Sequence, residues 1–332
     1  MKAIKGKITK ISSFGFPDTT NDIYFYGIRS IECSEDGKLY LADQQAGSIR
    51  VFSLKTGSEL FRIGKIGSGP GEFKTLGPMK IFHDKQLSVI DNTLRRCTIF
   101  SENGKLIRTI SLERLTDDID FINGTQLITS SFLLDQQFKP LRIISLKNNR
   151  ILDEFGKIIE PKEGLLKLFN NNLLKNSARS MLSSFGMTNV VLLADNQSVL
   201  YSQRNPYILI RYDLKTKTIE QVNPSVGFDT QSGLDIQIID RGSSMQMNNS
   251  GSALGIKNGW THLLVPIISI DGQSNYLDCY SLSGVFSKRL IIPPLKKGLK
   301  VFGAAFKGNQ ELLLLVSNEL HLNWVERFSI QL

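Results

Sequence analysis

The 332 residues carry 40 lysines and arginines against 31 aspartates and glutamates, a net charge of +9, and 41% of them are hydrophobic. That is apolar material for a large core, yet no run approaches the ~20 apolar residues a membrane-spanning helix needs, which excludes a helical membrane protein. Three cysteines, Cys33, Cys97 and Cys279, are odd in number and widely spaced, which excludes a disulfide framework and a CxxC metal site and leaves buried, reduced thiols.

The N-terminal stretch 1–8 is positively charged but lacks a following apolar region and a small-residue cleavage site, so no signal peptide is visible. Two compartments follow as expectations: cytoplasmic, or periplasmic or cell-surface if a native leader has been removed. The basic balance favours anionic partners, but lysines and arginines are scattered, and the densest cluster, Lys296-Lys297 with Lys300, is too short for a nucleic-acid arm.

Short apolar runs recur along the whole chain. Leu39-Tyr40-Leu41-Ala42-Asp43 is answered by Leu87-Ser88-Val89-Ile90-Asp91, then more loosely by runs at 127–129, 199–201, 262–265 and 312–316. A period of roughly 40 to 50 residues made of β-type runs is the length of one four-stranded propeller blade. The first blade takes strands over 27–32, 38–43, 48–54 and 59–63, with Asp36-Gly37 and Thr56-Gly57 supplying the positive-φ positions of its hairpin turns. The second takes 79–83, 86–91, 95–100 and 105–111, and in both blades an Asp lies nine residues before a Phe, Asp43 before Phe52 and Asp91 before Phe100. Blade three fits 118–122, 125–132, 141–146 and 150–155; blade four, 189–194, 198–203, 208–214 and 218–222; blade five, 252–257, 261–267, 276–282 and 286–292. Blade six has only 301–306, 311–316 and 323–330 before the chain ends. The alternating segment 4–14 is the expected fourth strand, closing the ring and removing the edges an open sheet would expose. The expectation is therefore an all-β, single-domain, six-bladed β-propeller over 1–332, monomeric and closed by its N-terminal strand.

Two insertions break the spacing. Residues 157–187 carry leucines at helix-like spacing, and 223–250 are polar and rich in Ser, Asn and Gln. Both join an outer strand to the next inner strand and so leave from one face of the disc, the expected functional surface.

The run 39–43, leading to Ile49-Arg50-Val51-Phe52 and then to the glycine-rich Gly64-Lys65-Ile66-Gly67-Ser68-Gly69-Pro70-Gly71-Glu72-Phe73, looks like an NHL-type repeat. With the uneven blades and insertions, the chain resembles the TolB-like six-bladed propeller families of Bacteroidetes, many of them secreted or lipid-anchored. The strong likeness covers roughly residues 27–110, and the glycine-rich signature occurs once. A phosphate cradle would need a helix after the glycine run, whereas Gly77-Pro78 leads into another strand, so the run reads as an interblade turn with Phe73 packed between blades. Asp43 and Asp91 read as turn caps rather than metal ligands.

No catalytic constellation is visible. His83, His262 and His321 fall in separate blades without an HxH or HxxxH partner, and no serine sits in a GxSxG context. The resemblance adds that six-bladed lactonases and lyases hold calcium or zinc on inner-strand residues, but the inner strands here offer no obvious ring of carboxylates or histidines. No cofactor or metal ligand is predicted, although a divalent metal is compatible with the enzyme alternative. Candidate ligand-binding residues are Arg29 and Lys80 at the channel, Arg204 and Tyr207 on a polar-aromatic turn, and Arg179 and Arg241, one in each insertion. The expected function is a non-enzymatic binding or scaffold propeller that holds a protein, peptide or glycan on the inserted face. The alternatives are a metal-dependent lactonase- or lyase-type enzyme and an RNA-binding NHL-like propeller, nucleic acid being disfavoured because basic and aromatic residues are not interleaved.

Overall fold

The computed structural model describes residues 6–15, 25–82, 85–131, 139–158, 188–203, 207–222, 235–239, 244–248, 251–258, 261–269 and 275–332. Every regular element among them is a strand, and none of the described residues forms a helix long and apolar enough to cross a membrane.

The strands fall into six blades. After β1 (Lys7–Phe14) and the short β2 (Phe25–Tyr26), blade one is β3 (Ile28–Cys33), β4 (Lys38–Asp43), β5 (Ser48–Ser53) and β6 (Glu59–Ile63). Blade two is β7 (Met79–Ile81), β8 (Leu87–Asp91), β9 (Arg96–Phe100) and β10 (Leu106–Ser111); blade three is β11 (Asp118–Asn123), β12 (Gln126–Ser130), β13 (Leu141–Ser145) and β14 (Ile151–Phe155). Blade four is β15 (Thr188–Leu192), β16 (Ser198–Gln203), β17 (Ile208–Asp213) and β18 (Ile219–Val222). A hairpin of β19 (Asp235–Ile239) and β20 (Ser244–Asn248) follows within the second insertion. In blade five the inner position is split between β21 (Gly251–Ala253) and β22 (Lys257–Asn258), both paired to β23 (His262–Ser269), with β24 (Asn275–Ser281) and β25 (Phe286–Ile292) outside them. Blade six is β26 (Lys300–Lys307), β27 (Glu311–Ser317) and β28 (Leu322–Gln331), and β1 supplies its outer strand by pairing antiparallel to β28. The N-terminal closure expected from sequence is present. From residue 159 onward the helix-like stretch of the first insertion lies outside the described residues.

The apolar runs have a packing reason. A strand of period 2 sends alternate side chains to opposite faces, and a propeller blade has a neighbour on both. In β4, Leu39 and Leu41 enter a core shared with blade six, among Ala305, Leu313 and Leu315, while Tyr40 and Ala42 enter another shared with blade two, among Met79, Leu87 and Val89. The pattern repeats around the ring, so that six clusters of buried side chains separate the six blades. Phe73 is buried between blades one and two, 5.9 Å from Phe100, as its place after the glycine run predicts. Gly37 and Gly57 take φ of +84° and +73° at the first-blade turns, a region that L side chains rarely adopt.

Outer strands of a propeller still present a hydrogen-bonding edge to solvent. Here the edge is interrupted by register shifts around Ile11 in β1, Leu60 in β6, Ile107 in β10 and Leu152 in β14. A bulge at an edge twists it away from productive pairing with another chain. That explains why these four aliphatic residues stand exposed without belonging to a core.

Ile8 is buried in the core between blades five and six, whereas Ile11 sits at the bulge with half its surface exposed. Ile8→Ala is expected to cost about 3 kcal/mol, and Ile11→Ser less than about 0.5 kcal/mol, in denaturant unfolding. A chain lacking residues 1–14 is expected to self-associate through the opened edge of β28, read by light scattering.

Candidate functional site

Strand direction divides the disc into two faces. The inner strands of all blades run the same way, so connections between blades, together with the β4–β5 and β8–β9 turns, lie where the inner strands begin. Both insertions leave and re-enter on that face, between β14 and β15 and between β18 and β21.

The two strand-end aspartates act there as caps. Asp43 accepts the Ala46 amide at 2.8 Å. Asp91, fully buried, accepts four amides: Thr93 and Leu94 on one oxygen, at 3.0 and 2.9 Å, and Lys74 and Thr75 of the interblade loop on the other, at 2.7 and 3.2 Å. The glycine-rich loop is held by Arg96, whose guanidinium donates to the carbonyls of Ser68, Gly69 and Glu72 at 3.0, 2.7 and 2.6 Å. It is an interblade turn that runs into β7, as read from sequence. The same face exposes apolar side chains from separate segments: Tyr26 (45%) of β2, and Ile66 (65%), Leu115 (54%) and Leu320 (75%) from loops. Ile66 lies over Gly47, where a Cβ would come within 2.0 Å of it, so the turn glycine is what lets this side chain rest across the β4–β5 turn.

The opposite end of the ring holds a cavity of about 460 Å³ in the central channel, opening among the hairpins that follow β3, β7 and β26. Its wall is charged from several blades: Glu32 from β3, Lys80 from β7, Asp118 and Asp120 from β11, and Lys257 from β22. Sequence reading placed Lys80 at the channel but missed the other four. The available signal was a charge at alternate positions of inner strands that are otherwise apolar, as in Asp118-Ile119-Asp120.

Much of this charge satisfies the backbone. An inner strand has a free edge facing the channel, and its buried amides and carbonyls need partners. For β15 they come from the blade before: Asp117 accepts the Thr188 amide at 3.1 Å, Asp118 that of Val190 at 3.1 Å, and Asp120 that of Leu192 at 2.9 Å. Lys80 completes the set by donating to the Val190 carbonyl at 2.8 Å, with its Nζ 3.6 Å from Asp118 and 3.5 Å from Asp120. Burial pulls the Lys80 ammonium down, but Asp118, Asp120 and then Glu32 outweigh it, and the net displacement is upward. Across the channel, Lys257 forms an ion pair with Glu32. Burial pushes the Glu32 carboxyl above its ordinary range, with Lys257 opposing.

The remaining sequence candidates scatter. Arg29 is exposed at the β3 register shift, outside the cavity lining. Tyr207 is buried between blades four and five, its hydroxyl 3.0 Å from that of Tyr280 and 3.5 Å from Asp278, which Arg289 holds by two bonds of 2.6 and 2.8 Å. It is a core residue and not part of an exposed turn. Arg179, Arg204 and Arg241 lie outside the described residues, as does His83. His262 and His321 sit in different blades. Cys33, Cys97 and Cys279 are free and buried, each thiol pushed up to about 12, chiefly by burial. Among the described residues no three His, Cys, Asp or Glu side chains are grouped to hold a metal ion.

Comparison with known proteins agrees with the architecture. Residues 13–129 match the DUF5128 family, described as a 6-bladed beta-propeller. No curated protein matches the chain. Among solved structures, a DUF4221 member from Bacteroides vulgatus ATCC 8482 is similar at 12% identity and a TM-score of 0.60, covering 98% of each chain. A protein of Bacteroides fragilis NCTC 9343 is similar at 15% identity and a TM-score of 0.57, covering 98% of this chain and 95% of the other. A streptogramin B lyase is similar at 10% identity and a TM-score of 0.52, covering 98% of each chain. At these identities the likeness concerns the fold: the chain is an all-β, six-bladed propeller.

Two substitutions test the structural assignments. Asp91→Ala leaves four amides without their acceptor and is expected to cost about 3 kcal/mol, clearly more than Asp43→Ala, by equilibrium unfolding. Lys80→Met leaves Asp118 and Asp120 without their cation and is expected to cost about 3 kcal/mol at pH 7. Because the Lys80 value is raised by folding, its contribution is fully present below pH 10.5 and is lost as pH rises through the folded value. The gap between wild type and variant should therefore hold between pH 7 and 9 and narrow only in stronger alkali.

Proposed function

We propose that this chain is a non-enzymatic binding propeller that recognises a protein or peptide partner on the face carrying the two insertions. The observation that carries this reading is the exposure of Tyr26, Ile66, Leu115 and Leu320 on that one face, from the short β2 and from loops of a six-bladed ring. Large apolar side chains exposed on one face from separate segments are the composition of a docking surface, with aromatic and aliphatic anchors in a polar surround. The loops stand on caps such as Asp91 and clamps such as Arg96, so the apolar groups are presented with little entropy left to lose on binding. A glycan is the alternative occupant of the same face, and the Gly64–Phe73 signature supports placing the chain with TolB-like and NHL-type propellers.

Ile66→Asp and Leu115→Asp alter exposed side chains and should change stability by less than about 0.5 kcal/mol. Peptides selected for binding to the wild-type protein from a random displayed library are expected to lose at least about tenfold in affinity on both variants. Selected peptides that bind both variants as well as wild type would overturn the assignment to this face.

A further inference from the structure

The channel cavity opens on the face opposite the insertions and has a chemistry of its own. Its lining contains five carboxylate residues and three lysines, an acidic island in a chain of net charge +9. These charges are not equivalent. Lys80 has three acceptors within 3.6 Å, the Val190 carbonyl and the carboxylates of Asp118 and Asp120, which is the full capacity of an ammonium group. Those aspartates are occupied in turn by the backbone of β15. This half of the wall is structural.

Glu32 and Lys257 form the other half. Glu32 is only 8% exposed, and its Oε1 takes Lys257 Nζ while no hydrogen bond reaches Oε2 from the described residues. Lys257 has Glu32 as its one ion-pair partner among the described residues and keeps further donor capacity. A carboxylate buried this deeply in a cavity, with one oxygen open, is an unfilled acceptor in a place where burial makes each charged hydrogen bond count. Apolar side chains of Ile81, Phe82, Ile256 and Phe306 also line the cavity, and Ser34, Glu35, Asp36 and Lys85 complete the lining from the hairpins after β3 and β7.

The geometry points to a second binding site, in the channel, for a small organic cation: a primary amine with an apolar body, its ammonium taken by Glu32 and its body laid against Phe82, Ile256 and Phe306. Lys257 is then an internal stand-in for the ligand's ammonium, holding Glu32 when the site is free. An anion is disfavoured, because Lys80 is saturated and the remaining lysine at this depth is already paired beside three carboxylates. A volume of about 460 Å³ suits a molecule of this size, within the range of small-ligand pockets.

The probes are phenethylamine, its neutral counterpart 2-phenylethanol and the anionic phenylacetate, titrated by calorimetry against the full chain. The amine is expected to bind one to one, at least about tenfold more tightly than either counterpart, the margin of one charge-assisted hydrogen bond. Glu32→Gln keeps the shape of the side chain and removes its charge; it should weaken the amine by about tenfold or more and leave 2-phenylethanol unchanged. Lys257→Met moves the other way, since removing the internal competitor should tighten the amine. That direction separates a ligand site from a merely structural ion pair, and it keeps the test available if Glu32→Gln folds poorly. The assignment is overturned if the amine does not bind, if the alcohol or the acid binds as well as the amine, or if Lys257→Met leaves amine affinity unchanged or weaker. None of these outcomes bears on the apolar face, whose variants lie at the other end of the ring.

Discussion

Ring closure is the constraint on which the rest of this structure depends. Each blade is a small sheet with two apolar faces, and neither face is buried unless a neighbour stands on each side. The six cores between blades therefore form a circuit: remove one and two blades each lose a partner. The circuit is completed by β1, which joins the start of the chain to β28 and adds Ile8 to the core between blades five and six. Phe25 and Phe52, with Phe14 packed against them, extend the same closure toward blade one at ring separations of 5.4 to 5.8 Å. Stability of this kind is shared around the ring.

A closed ring has a second problem at its centre, where the free edges of the inner strands meet. Water in the channel can satisfy some of their polar groups, but β15 is served by side chains of the preceding blades through Asp117, Asp118, Asp120 and Lys80. The charges concentrated in the channel thus have a structural origin for the most part. What distinguishes Glu32 and Lys257 is that among the described residues they serve no backbone edge in the same way and pair with each other across the channel from blades one and five.

The two faces of the disc consequently differ in chemistry. Where the inner strands begin, loops are long and expose aliphatic and aromatic side chains. Where they end, short hairpins surround a cavity with an acidic wall.

Fold and site were legible to different depths. The blade repeat, the turn glycines, the interblade role of Phe73, the capping aspartates and the closing strand could be read directly, because all depend on local periodicity or on a residue's own turn chemistry. Strand ends agreed closely, with β4, β6, β16 and β25 matching the ranges read from sequence. The inner strand of blade five did not, being split around Leu254, Gly255 and Ile256, and Tyr207 proved to be a core residue because Tyr280 and Asp278 of the next blade reach its hydroxyl. The channel constellation was the least legible. Glu32 and Lys257 stand 225 positions apart, and Lys80 meets the Val190 carbonyl from 110 positions away. By itself the sequence determined that there are repeating two-faced strands and where they turn, since both are properties of neighbouring residues. Which charges converge, and whether each is used up by a backbone edge or left open to a ligand, was decided only by the closing of the ring, which brings inner strands from distant parts of the chain around one axis.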